Sequence, residues 1–145
     1  SNLEWDKVDI SLADERWVEN TDDASNEKML RSKLLINNAA NANFVSLKTQ
    51  HSDAADAVLT CTANLQKMRT PFDVLILGMG EDGHTASLFP CSAQIAQGLD
   101  LESGDKFIAV KPTSAPNQRM SLTLPALLNS NQIFLHLTGE SKKDV

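Results

Sequence analysis

Phe72-Asp73-Val74-Leu75-Ile76-Leu77 runs straight into Gly78-Met79-Gly80-Glu81-Asp82-Gly83-His84, and this junction decides the fold. The first six residues are apolar except for Asp73, the pattern of a strand buried on both faces. Pro71 stands before them and closes the preceding helical pattern. The glycines follow at the strand's carboxyl end, where α/β sheets bind their ligands.

Working outward, strands and helices alternate. Val8-Asp9-Ile10-Ser11-Leu12 alternates apolar and polar residues and predicts a strand. Residues 21–26 read as a turn-rich loop, and 27–37 as a helix with Leu30 and Leu34 on one face. Residues 44–47 are a short extended candidate. Ser52 is a suitable N-cap for a helix reaching Met68, with Val58, Cys61, Leu65 and Met68 at spacings of three and four. Further on, 106–110 and 132–137 predict strands, and 122–128 predicts a helix starting near Pro125. Gly139-Glu140-Ser141-Lys142 reads as the opening of another helix. The alternation predicts one α/β domain over 1–145 with a mainly parallel sheet. Asp14-Glu15-Arg16, the glycine loop and Thr138-Gly139 each follow a strand, so one sheet edge gathers all three into one site.

Composition excludes several function classes. The 145 residues carry 13 Lys+Arg against 19 Asp+Glu, a formal charge of −6, which argues against binding nucleic acid. A small phosphorylated ligand needs only two or three local cations and stays open. No apolar run approaches the roughly 20 residues of a membrane span, and the polar, acidic start Ser1-Asn2-Leu3-Glu4-Trp5-Asp6 does not read as a signal peptide. Cys61 and Cys91 fit neither a metal spacing nor a disulfide scaffold, so a cytoplasmic protein with free thiols is expected. His51 and His136 stand alone, and no metal-ligand cluster is seen.

The loop Gly78–Gly83 satisfies G-x-G-x-x-G, which suggests a dinucleotide turn. That reading needs a long helix directly after Gly83 and an acid at the end of a second strand about 20 residues on. Pro90 leaves room for only a short helix. Asp100 and Glu102 fall in a stretch, 97–104, that reads as loop. In the alternative, the glycines let the backbone turn sharply and present Glu81, Asp82 and His84. Histidine suits proton transfer near neutral pH. Against this stand plainer roles: a structural imidazole, and acids that brace a turn or complement a helix dipole.

At these residues a resemblance emerges. Gly78-Met79-Gly80-Glu81-Asp82-Gly83-His84-Thr85-Ala86-Ser87-Leu88-Phe89-Pro90 resembles the signature of the 6-phosphogluconolactonases. Leu12-Ala13-Asp14-Glu15-Arg16-Trp17-Val18 and 115–128, which contains Asn117-Gln118-Arg119-Met120, resemble two more. The wider superfamily includes glucosamine-6-phosphate deaminases. The segment Thr85-Ala86-Ser87-Leu88-Phe89-Pro90 and the pair Arg16-Trp17 are similar to the lactonase version.

The resemblance implies a Rossmann-like, three-layer α/β sandwich and hydrolysis of 6-phosphogluconolactone to 6-phosphogluconate without a cofactor. It implies His84 as general base, with Asp14 and Arg16 beside it. Asp14 would orient a water, the histidine or a sugar hydroxyl; Arg16 would meet the oxyanion or the phosphate. Gly80, Glu81, Gly83, Arg119 and Lys142 are the implied substrate-binding positions. Trp5 and Trp17 read as core or cover. Family members also carry an upstream strand and a Ser-Gly-Gly-Ser-like phosphate loop with no counterpart before Asp14, and they continue into a helix where this chain stops. The expectation is therefore a domain truncated at both ends, with bare surface through which copies associate. The competing expectations are a related sugar-phosphate isomerase/deaminase of the glucosamine-6-phosphate type and a non-catalytic remnant.

Overall fold

The structure is a computed structural model that describes residues 3–143 and 145. Ser1 and Asn2, from the N-terminal stretch read for a signal peptide, and Asp144 lie outside it. The elements in chain order are β1 (Asp9–Ile10), β2 (Asp14–Arg16), α1 (Asn26–Lys33), β3 (Asn43–Phe44), α2 (Ala54–Leu65), β4 (Leu75–Leu77), α3 (Ile95–Leu99), β5 (Phe107–Val110), β6 (Arg119–Leu122), α4 (Leu124–Leu128) and β7 (Ile133–Leu135), with short 3-10 turns at Trp5–Lys7, Asn37–Asn41 and Glu140–Lys142. The chain is mixed α/β with parallel strand pairs. β1 pairs with β3 and β4 with β7, both parallel, while β2, β6 and β5 form an antiparallel unit in that order.

The antiparallel unit has a simple cause. A parallel return needs a crossover of about a dozen residues or more. The connection 111–118 between β5 and β6 is shorter, so β6 folds straight back on β5. All four residues of β6 are buried, including Arg119 and Ser121, which is why it lacks the alternating look of a strand.

Helix α2 covers this unit and packs on β5. Its buried stripe is Ala54, Ala57, Cys61 and Leu65, and Val58 and Met68 pack partly buried against the same core. The predicted cap is off by one: Asp53, not Ser52, accepts from the Ala55 N–H at 2.9 Å. Aspartate does so with a full charge at the dipole's positive end. Leu47, Phe107, Val110, Met120 and Leu127 complete the core beside Trp17, whose Nε1 donates to the His51 carbonyl.

β4 is not buried on both faces as its composition predicts. Leu75 is buried, but Ile76 is 68% exposed and Phe134 of β7 is 53% exposed. Among the described residues β4 pairs with β7 alone, and the face bearing Ile76 and Phe134 stays exposed. No described helix is long and apolar enough to cross a membrane. Nor does a helix follow Gly83: the chain runs through turns and bends until α3 begins at Ile95. A dinucleotide turn would need its helix there, so that alternative is set aside.

Candidate active site

Strand alternation separates the jobs within Asp14-Glu15-Arg16. Successive side chains point to opposite faces. Glu15 points inward and is fully buried, whereas Asp14 and Arg16 are half-buried on the other face. Glu15 Oε1 accepts from the Arg16 and Asn26 main-chain N–H groups at 2.7 Å each. Its Oε2 accepts from Glu27 N at 2.7 Å and Ser25 Oγ at 3.1 Å. Four donors and the N-terminus of α1 compensate this buried carboxylate. They also fix β2 against α1.

The glycine loop leaves β4 and ties itself shut. Gly80 N donates to the His84 carbonyl at 2.8 Å, Gly83 N to the Gly80 carbonyl at 3.1 Å, and Thr85 Oγ1 to the Gly78 carbonyl at 2.7 Å. Gly83 sits at φ +81°, a conformation that disfavours a side chain. A Cβ on Gly80 would come within 2.3 Å of the His84 ring and 2.7 Å of Asp82 Oδ1, so the loop closes only around a bare backbone.

His84 is held on two sides. Its ring stacks on Phe89 at a centroid distance of 4.1 Å and 21° between planes. Nδ1 lies 2.5 Å from Asp82 Oδ1. The hydrogen bond with His84 holds the Asp82 carboxyl below its ordinary range, against a smaller opposing effect of burial. An ionised carboxylate can only accept, so the pairing assigns a proton to Nδ1 and, in the neutral ring, a lone pair to Nε2. Asp82 was legible as a turn brace. The brace acts on the imidazole, and the two-residue spacing of Asp82 and His84 is the signal that could have shown it.

Asp14, Arg16, Asn26, Gly78, Gly80 and His84 line one open cleft of about 300 Å³. Asp14 is anchored by Ser87, whose buried Oγ donates to Oδ2 at 2.6 Å. Ser87 N in turn donates to Ser121 Oγ at 3.1 Å, so the residues after the glycine loop are pinned to β6. Arg16 Nη1 donates to Asn26 Oδ1 at 2.7 Å and to the Ala24 carbonyl at 2.9 Å. Ser87 and Asn26 escaped the sequence reading because their importance lies in contacts with distant segments.

The remaining predicted positions do not line this cleft. Glu81 is exposed and accepts from Ser141 Oγ at 2.9 Å, docking the last 3-10 turn onto the loop. Lys142 is half-buried in that turn. Gly83 borders a second, apolar groove with Leu88, Leu99, Leu127 and Ile133. Arg119 faces Arg16 across the β2–β6 ladder and is 7% exposed. Its guanidinium lies over the Phe89 ring, 5.8 Å from the centroid. Burial and then the like charge of Arg16 disfavour its charged form, while Asp14 and Glu15 favour it. Among the described residues its Nε has no hydrogen-bond partner.

The α/β scaffold thus brings a carboxylate-held imidazole, a carboxylate and a guanidinium onto one cleft. Residues 1–145 match the family described as Glucosamine-6-phosphate isomerases/6-phosphogluconolactonase, and the chain belongs to it. A 6-phosphogluconolactonase of Pseudomonas putida is 44% identical over 140 residues, covering 97% of this chain and 57% of that protein. One from Caulobacter vibrioides is 43% identical over 141 residues, covering 96% of this chain and 60% of that protein. The crystal structure of a 6-phosphogluconolactonase from Shewanella baltica superposes with a TM-score of 0.95 at 46% identity, covering 99% of this chain and 61% of that one. The chain thus spans less than two thirds of the length of the relatives it matches.

Proposed function

We propose that this chain carries the reaction centre of a 6-phosphogluconolactonase, hydrolysing the lactone of a phosphorylated sugar acid in a cytoplasmic setting. The observation that carries this reading is the convergence of His84, oriented by Asp82, with Asp14 and Arg16 on one cleft.

In this reading a water molecule attacks the lactone carbonyl while His84 Nε2 takes its proton. The resulting oxyanion is stabilised by nearby positive charge. It collapses by breaking the bond between carbonyl carbon and ring oxygen, and the imidazolium returns its proton to that oxygen. Products are 6-phosphogluconate and the regenerated base. Arg16 supplies positive charge to the oxyanion or to the phosphate. Asp14, held at one oxygen by Ser87, keeps its other oxygen for a water or a sugar hydroxyl. The orienting of the histidine is given to Asp82. Arg119 and Lys142, off the cleft wall, add longer-range attraction for the phosphate.

Replacing His84 by Ala should lower lactone turnover by about 10²–10⁴ with the fold intact. Unchanged turnover removes His84 from the mechanism. The uncovered apolar face of β4 and β7 supports one further element of the proposal, that copies of the chain associate through it. A chain that neither hydrolyses the lactone nor binds 6-phosphogluconate would instead be a non-catalytic remnant.

A further inference from the structure

One polar side chain in the cleft wall has no part in the scheme above. Asn26 is the first residue of α1, and its carboxamide lies between the two functional residues of β2. Oδ1 accepts from Arg16 Nη1 at 2.7 Å. Nδ2 donates to the Asp14 carbonyl at 3.0 Å and lies 3.5 Å from Asp14 Oδ1. The amide can take only this orientation. Turned over, it would set donor against donor at Arg16 and acceptor against acceptor at Asp14.

The helix does not need this side chain. Ser25 is the N-cap and accepts from Lys28 N, and the main-chain N–H of Asn26 is already taken by Glu15. What the carboxamide adds is a link between a cation and a carboxylate-bearing backbone that sit two residues apart on one strand. Arg16 has a reason to need it. Its register partner across the ladder is Arg119, and like charges directly opposite repel. A neutral acceptor holds the guanidinium without placing another negative charge beside Asp14.

We propose that Asn26 is a positioning residue of this site, its carboxamide clasping the Arg16 guanidinium and the Asp14 main chain so that cation and carboxylate line the cleft in fixed register. Its bearing on catalysis rests on the lactonase reading; the clasp itself does not.

The test uses the full chain with Asn26→Ala, Asn26→Asp, Arg16→Ala and the double variant Asn26→Ala/Arg16→Ala. Nitrogen-detected NMR of arginine side chains reads the clasp without any ligand. The unaltered chain should show resolved Arg16 Nη signals, Asn26→Ala should average them, and Asn26→Asp, which keeps an acceptor, should restore them. Calorimetry with 6-phosphogluconate reads the consequence. Asn26→Ala should weaken binding about tenfold, and should weaken it no further once Arg16 is Ala. Unchanged Arg16 signals in Asn26→Ala overturn the proposal. So do equal behaviour of the Ala and Asp variants, or an equal loss of affinity with and without Arg16. If the NMR pattern follows expectation while the unaltered chain binds no 6-phosphogluconate, the positioning role stands and the lactonase reading falls.

Discussion

Asp82 and His84 make a pair whose pH behaviour has a definite sign. The Asp82 carboxyl is lowered below its reference value of 3.8, so what the pairing contributes is fully present above that value. It is lost only as pH falls through the still lower folded value. The thermal midpoint of Asp82→Asn should therefore lie below that of the parent from pH 8 to about 4.5, and the gap should close below about pH 4. A gap that closes between pH 7 and 5 would contradict the assignment. The cysteines offer a second check on local environment. Hydrogen bonds from Ser114 and Thr113 pull the exposed Cys91 thiol down to about 7, whereas burial pushes Cys61 up to about 11. Mild alkylation at pH 7.5 should modify Cys91 within minutes and leave Cys61 intact in the folded chain, as mass spectrometry would read.

Among the elements, the glycine loop and β2 bear the candidate site, and each is sensitive in its own way. Gly80→Ala inserts a methyl where the His84 ring and the Asp82 carboxylate already lie. The ring must leave its stack on Phe89, so lactone turnover should fall by at least about tenfold; retained turnover would show that the stack does not matter. Glu15→Ala strips four donors of their acceptor at once. Chemical denaturation should register a loss of at least about 1–3 kcal/mol, the range for leaving a buried group unsatisfied. The glycine loop was legible because an apolar run ending in glycines states both a strand and its carboxyl-end turn. Asp14 and Arg16 were legible as candidates, although not the strand that sets both on one face. β6 was not legible. Its Arg119 and Ser121 are buried by tertiary packing, and no local pattern announces that. The Ser87–Asp14 contact joins residues 73 positions apart and belongs to the same class.

For the whole molecule, the asymmetry of burial matters most. One side of the chain holds a packed core under α2, while β4 and β7 leave Ile76, Ile133, Phe134 and Leu135 exposed. Ile133, on the opposite face of β7 from Phe134, borders the apolar groove with Leu99 and Leu128, so apolar surface lies on both faces of this strand pair. Composition could not reveal this, since an apolar strand reads the same whether or not something covers it. Sedimentation should show concentration-dependent association, and Phe134→Lys should shift the population towards monomer. A monomer at all concentrations would remove self-association from the proposal.

The self-tied loop has a thermodynamic corollary. Backbone contacts among Gly80, Gly83 and His84, and the Thr85 hydroxyl on the Gly78 carbonyl, give the imidazole its place as the chain folds. On the proposed lactonase function, an arriving sugar acid would then have no disorder to remove from that segment, and the entropic penalty of assembly would be separated from each catalytic cycle. Loosening the knot, for example at Thr85, should therefore slow chemistry more than it weakens product affinity.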